Sequence, residues 1–232
     1  MKPLPKASRM LAAATLGTAM AVFAVTVQAQ TAPPGLPREG GLEVPASLRV
    51  TIAGAARLGR ANAPITIVEF SNYQCIACQR AIINLFPHIK RDYIDTGRAR
   101  YVFLDLPLPK ENPQARKAAE AVHCSAEQGK FLPMRDALFA MEGKLDAAQF
   151  GAVARKLGMN GVNFDRCLSN NKYAARINRS EASAAAIDID SAPSFIIAKT
   201  ERGDIVNGGM IINGVDRYDE LRKFIEEVIK AK

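Results

Sequence analysis

The sequence predicts an α/β protein: a strand-helix-strand unit, then a block of helices, then a strand-strand-helix unit. Three observations predict it. Continuous apolar runs at Ile65 to Phe70 and Arg100 to Leu106 flank a segment of helical periodicity, the pattern of two parallel strands joined by a crossover helix. Helical patterns then follow one another from about Asn112 to Ile187. Beyond them, Ser194 to Ala198 and Asp204 to Val206 read as paired strands before an amphipathic C-terminal helix.

The N-terminus reads as an export signal. Lys2, Lys6 and Arg9 precede an apolar run from Met10 to Val27, and Val27-Gln28-Ala29 fits the small-residue rule, so residues 1–29 are taken as a signal peptide cleaved after Ala29. The run could span a bilayer by length, but Thr15, Gly17, Thr18 and Thr26 make it only weakly apolar, and a retained anchor is the lesser reading. No adjacent arginines precede it and no cysteine follows it to carry lipid. With the three signal cations removed, the formal charge of +8 becomes modest. Lys and Arg are interspersed with Asp and Glu without an aromatic-basic pattern, so no nucleic acid partner is expected.

Residues 30–57 are rich in Pro and Gly and read as a lead-in; Leu48, Val50 and Ile52 alternate there as a short half-buried strand would. The folded domain is placed at 58–232, with the helical insertion at about 110–188. After the first buried strand, Ile82, Leu85, Phe86, Ile89 and Tyr93 recur at helical spacing, Pro87 should kink that helix, and Thr96-Gly97 should end it. The insertion is read as Ala115 to Glu127, Phe131 to Met141, Asp146 to Leu157, Asn163 to Leu168 and Tyr173 to Ile187, broken at Gly129, Gly143, Gly158 and Gly161. In the last helix Leu221, Phe224, Ile225, Val228 and Ile229 form the apolar face, Asp216 can cap the start, and Lys230 and Lys232 suit the C-terminal dipole.

The chemistry is carried by cysteine. Cys75 and Cys78 lie two residues apart at a predicted strand-to-helix junction, where backbone N–H groups and the positive helix end favour a thiolate on Cys75. Cys78, one turn on, is then less exposed and able to resolve a mixed disulfide. Four cysteines allow three pairings. Closing the 75–78 loop stabilises by roughly 2 kcal/mol and closing the 124–167 loop by about 4 kcal/mol, which favours a redox role for the short pair and a structural bridge for Cys124 and Cys167. An inert turn disulfide, or half of a zinc site, is the competing reading for Cys75 and Cys78, although zinc would want a second close-spaced pair. No metal and no cofactor are expected. His88 and His123, the two histidines, are read as surface or helix-packing residues, because no base-orienter pattern accompanies them.

The segment VEFSNYQCIACQR resembles the active-site segment of DsbA-like thiol-disulfide oxidoreductases of the thioredoxin superfamily. The likeness continues through ANAPITIVEF, FLDLPL, AAEAVHCSAEQGKF, FDRCLSNNKYAARI and SAPSFIIAK, covering nearly all the chain after about Leu58. It implies a thioredoxin fold with an inserted helical domain, and a Cys124 to Cys167 bridge. It also implies a cis Pro193 opposite the active pair, with Ala192 offering backbone groups to a substrate chain. Glu69 aligns with an acidic residue near the active pair; it is either a buried proton relay for Cys78 or a strand-end ion pair. Ile76 and Ala77 depart from the Pro and His that related sites often carry, so a disulfide less oxidising than that of the strong oxidants is expected.

The function so implied is disulfide exchange with unfolded or reduced exported proteins in the periplasm, by a monomer acting as an oxidase. The resemblance further implies a membrane redox partner, a quinone-linked oxidase of the DsbB type. An isomerase or reductase, recharged by a membrane reductant, is the alternative direction. A non-catalytic thioredoxin-fold binding or chaperone-like protein is the alternative class.

Overall fold

In the computed structural model, residues 42–231 are described, with side chains from Arg49 onward. The export signal and its cleavage site lie outside the described residues. The elements run β1 (Leu42–Thr51), β2 (Ala56–Leu58), β3 (Ile65–Ser71), α1 (Ile76–Asn84), α2 (Phe86–Ile89) with a π-helical turn at Lys90–Ile94, and β4 (Ala99–Asp105). The insertion holds α3 (Ala115–Ala126), α4 (Phe131–Phe139), a 3₁₀ turn at Ala147–Gln149, α5 (Phe150–Lys156), α6 (Gly161–Ser169) and α7 (Ala174–Ala185). Last come β5 (Ser194–Lys199), β6 (Ile205–Asn213) and α8 (Tyr218–Lys230).

The six strands form one mixed sheet in the order β1-β6-β5-β3-β4-β2. β3 and β4 are parallel, as their continuous apolar runs require, with Ile65 opposite Ala99 and Glu69 opposite Phe103. Every residue of β3 is buried, so both faces of the sheet must be covered. Alternation sorts the strand: Ile65 and Ile67 face a core shared with α1, α8 and the inserted helices, while Val68 and Phe70 face a second core with Ile187 and Ile189 beyond α7. Leu221, Ile225 and Val228 of α8 close the first core, each contributing about 1.5–3 kcal/mol by burial.

Several expectations are adjusted. Residues 42–58 supply two strands of the sheet, β1 on the outer edge of β6 and β2 on that of β4, so the sheet begins inside the segment read as lead-in. The partner strand expected at Asp204 to Val206 extends to Asn213, because its glycines Gly208 and Gly209 weaken the apolar alternation without ending the pairing. At Pro87, where a kink is expected, the crossover helix is split in two. α1 ends at Asn84 and α2 restarts at Phe86, since proline in the first turn of a new helix loses no hydrogen bond. Gly97, at φ +75°, ends the segment as expected. Asp216 does not cap α8: its N-cap is Arg217, no side chain caps it, and Asp219 and Glu220 supply the negative charge of the first turn.

Cys124 of α3 and Cys167 of α6 are joined in a disulfide with Cα atoms 5.8 Å apart. The bridge ties together two helices of the insertion and removes both sulfurs from any zinc site. Replacing both cysteines by alanine should lower the unfolding free energy by about 4 kcal/mol, read by urea denaturation of the otherwise unchanged chain. A loss below about 1 kcal/mol would show that the loop entropy of the unfolded state is offset elsewhere.

Candidate active site

The carboxyl end of β3 delivers the chain into a tight turn. Asn72 builds that turn with three bonds: its carbonyl accepts from Cys75 N–H at 3.1 Å, its Oδ1 accepts from Gln74 N–H at 2.8 Å, and its Nδ2 donates to the Pro107 carbonyl at 2.8 Å. The turn is also tied to the insertion. Gln114 N–H donates to Gln74 Oε1 at 2.9 Å, and Gln79 Nε2 donates to the Phe139 carbonyl at 2.7 Å. Gly143 lies against the same turn at φ +76°, where a Cβ would meet the Gln74 carbonyl oxygen at 2.9 Å, so no side chain fits.

Cys75 is the N-cap of α1, and its sulfur accepts the Cys78 N–H at 3.1 Å. Both cysteines are in the thiol form. On the other side, Cys75 Sγ donates to the Ala192 carbonyl at 3.5 Å, and the Ala192–Pro193 peptide bond is cis. The Cys75 thiol is held down to about 7, first by the hydrogen bond from the Cys78 thiol, with the N–H groups of Cys78 and Ala77 adding to it. Burial pushes the Cys78 thiol the other way, well above the ordinary range, and the neighbouring Cys75 sulfur adds to that rise. Cys78 is wholly buried, whereas Ile76 is 43% exposed and Ala77 also faces solvent beside the reactive sulfur.

Glu69 points from β3 into the core that holds α1. It is fully buried, and burial raises its pKa, opposed by the hydrogen bond from Tyr101 and the field of Arg135. Tyr101 OH donates to Glu69 Oε2 at 2.8 Å, while Oε1 is buried with no partner. A strand-end ion pair is therefore not what holds it. When ionised, it adds slightly to the rise of the Cys78 pKa that burial and Cys75 cause, so the two groups share one electrostatic environment.

The structure thus brings together Glu69, Cys75, Ile76, Ala77, Cys78, Ala192 and Pro193, and sets Cys124 and Cys167 apart. Sequence reasoning missed Tyr101 and Arg135. Arg135 is recognisable in hindsight: it sits four residues after Phe131 and four before Phe139, on the apolar stripe of α4, where a solvated cation would not be placed. His123 takes the helix-packing alternative, with rings of Phe131 and Tyr173 beside it, and adds polar partners that the sequence does not announce. It is buried on α3, with Nε2 at 2.6 Å from Asp105 Oδ2 and Nδ1 at 3.2 Å from Arg176 Nη1, pinning the insertion to the end of β4. His88 stacks on Tyr218 at 4.8 Å and stays at the surface. Among the described residues, no three His, Cys, Asp or Glu side chains are grouped to hold a metal ion.

A redox-capable dithiol at a helix start, on a sheet with this strand order, defines a thioredoxin-fold protein with a helical insertion. The family model described as Thioredoxin matches residues 52–227, and the chain belongs to that family. Oxidised BdbD from Bacillus subtilis superposes with a TM-score of 0.65 at 22% identity, covering 78% of this chain and 98% of that one. A thioredoxin-like oxidoreductase from Silicibacter pomeroyi gives a TM-score of 0.61 at 26% identity, covering 77% and 94%. In sequence, disulfide bond formation protein D of Bacillus subtilis is 24% identical over 190 residues, 78% of this chain and 80% of that protein. Na(+)/H(+) antiporter NhaA 3 of Salinispora tropica is 32% identical over 139 residues; the match covers 60% of this chain and 21% of the antiporter, so the likeness is to about a fifth of that relative's length.

Two outcomes follow from the site's electrostatics. Thiolate absorbance of the reduced protein should titrate with a midpoint near pH 7 and vanish in Cys75→Ser, while native Cys78 should resist alkylation until the protein unfolds. Glu69 carries the opposite sign for stability. Its folded pKa lies above its unfolded one, so its ionisation costs stability as pH rises above about 4.3. Glu69→Gln should therefore be more stable than the parent at pH 7 and lose that advantage near pH 4. Thermal melts across that range would sink the assignment if the difference were independent of pH.

Proposed function

We propose that the protein is an exported thiol-disulfide oxidoreductase that passes disulfides to unfolded or reduced proteins through Cys75 and Cys78, acting in the periplasm as an oxidase. The observation that carries this reading is the pairing of unequal sulfurs: Cys75 half-exposed and acidified at the N-cap of α1, Cys78 buried with its pKa raised. In the oxidised enzyme a substrate thiolate attacks the Cys75 sulfur. The Cys75–Cys78 bond breaks, and Cys78 leaves with the electron pair and is protonated. A second substrate thiolate then attacks the substrate sulfur of the mixed disulfide, releasing Cys75 as a thiolate and an oxidised substrate.

Each supporting residue has a part in that sequence. Glu69, its pKa raised by burial, is the acid placed to supply the proton that departing Cys78 takes up. The Ala192 carbonyl, beside the Cys75 sulfur, offers an edge to which an extended substrate chain can pair, with Pro193 buried behind it. Ile76 and Ala77 present a small apolar surface to that chain. The reduced enzyme is recharged by a membrane redox partner, a quinone-linked oxidase of the DsbB type. The basic, then apolar stretch of residues 1–29 supports export to that compartment, and the reading takes the protein as a monomer there; among the described residues no helix is long and apolar enough to cross a membrane.

A reducing direction is favoured by one observation. A Cys75 pKa of about 7 matches the reactive thiol of a reductase more closely than the value of about 3.5 found in the strongest oxidant. Equilibrium with a glutathione buffer decides. A potential between about –120 and –200 mV supports an oxidase, and one near –270 mV would reverse the direction. Refolding of a reduced, disulfide-dependent substrate should proceed with the oxidised protein and stop in Cys75→Ser. Full activity of that variant would overturn the enzymatic reading in favour of a binding module.

A further inference from the structure

The inserted helices reach the proton of the redox pair as well as its backbone. Arg135 of α4 is buried, 3% exposed, although it is a cation. Its guanidinium has two sides. The outer side is held by the exposed carboxylate of Asp136, to which Nε donates at 2.8 Å and Nη2 at 2.7 Å. The inner nitrogen, Nη1, is buried and has no partner. Around it stand aromatic rings: the guanidinium carbon lies 4.1 Å from the centre of Phe86 and 5.4 Å from that of Phe103.

The same rings enclose the acid. Phe86 and Phe103 sit 5.5 and 4.9 Å from Tyr101, whose hydroxyl donates to Glu69, and Phe103 is the residue of β4 directly opposite Glu69. Glu69 Oε1 is, like Arg135 Nη1, buried and unpartnered. One acid and one cation, each with an unsatisfied buried atom, therefore share an aromatic box made by α2 and β4. Such a medium screens poorly, so the two act on each other without a direct bond. The groups facing Glu69 are Tyr101 from β4, Tyr73 from the active-site turn, Cys78 from α1, Ser71 from its own strand and Arg135 from α4. Arg135 is the one cation among them.

We infer that Arg135 is a positioning residue for the thiol exchange: from the inserted helices, its guanidinium sets how readily Glu69 gives and takes the Cys78 proton. The inference rests on the exchange reading above. When a mixed disulfide between Cys75 and a substrate is resolved, the Cys78 proton passes to the Glu69 carboxylate and the Cys78 thiolate attacks Cys75. The Cys75–Cys78 bond forms, the bond to the substrate breaks, and the substrate leaves as a thiolate with the electron pair. Arg135 favours the carboxylate that this step requires. Tyr73 and Tyr101 stay protonated at neutral pH, burial holding both well above the ordinary range, so neither substitutes as the acceptor.

The test uses the full chain carrying a Cys75–glutathione mixed disulfide, with release of glutathione followed against pH. Arg135→Met should move the acid limb of the rate profile about one unit to higher pH, a tenfold slowing below it, and Arg135→Lys should restore most of the rate. In a Glu69→Gln background, Arg135→Met should add no further shift. A full shift in that background, or none in the parent with the fold intact, would overturn the inference. The infrared carbonyl band lost in Glu69→Gln reports the acid directly and needs no activity. If its titration does not respond to Arg135→Met or Arg135→Lys, the inference fails by itself. If the band responds but no variant exchanges thiols, the exchange reading fails instead.

Discussion

Burial of β3 on both faces is the constraint to which the rest of the structure answers. Seven consecutive buried residues leave no solvated side, so helices must lie on each face, and the first must begin as soon as the strand ends. That requirement places the N-terminus of α1 at the carboxyl edge of the sheet. A helix start exposes N–H groups with no partner in the helix. A thiol at the cap position satisfies one of them and lies one turn from the Cys78 thiol. The hydrogen bond from that second thiol acidifies it first and the N–H groups add to it, which is how a packing requirement of the sheet becomes a chemical property of Cys75.

The inequality of the two sulfurs follows from the same geometry. Three residues along a helix is nearly one turn, so the two sulfurs share a face, with Cys75 at the rim and Cys78 one turn deeper and buried. One sulfur is stabilised as an anion and the other is penalised as one. The penalty also explains the company Cys78 keeps. Alternation along β3 turns position 69 to the face covered by α1, and an acid there has nowhere to be solvated. It is a stability cost that leucine at the same place would not carry, offset in part by Tyr101.

Much of this is legible in the sequence because it is local. The apolar runs, the two-residue cysteine spacing and the helical periods of the insertion depend on neighbours in the chain, and those elements lie where the pattern puts them. Legibility falls where distant segments decide. β1 pairs with β6 across more than 150 residues, and no local pattern in a Pro- and Gly-rich stretch announces a partner so far away. His123 carries no motif; only the folded chain brings Asp105 and Arg176 to its two ring nitrogens. Local pattern likewise leaves Glu69 between a buried proton relay and a strand-end ion pair, because its neighbour Tyr101 is chosen by the register of β3 on β4.

The insertion is more than a lid laid on a finished sheet. Its helices share one continuous core with α1, α8 and the face of the sheet that carries Glu69. Gln79, Gln114 and Gly143 tie it to the active-site turn by backbone contacts, and Arg135 brings its charge into the aromatic box beside the acid. A movement of α4 relative to α1 would therefore alter two things together: the bond from Gln79 of α1 to the Phe139 carbonyl, and the field at Glu69. A substitution on the inward face of α4 is felt at Glu69 through Arg135 and at α1 through the Phe139 carbonyl, so its effects at the two places need not add independently.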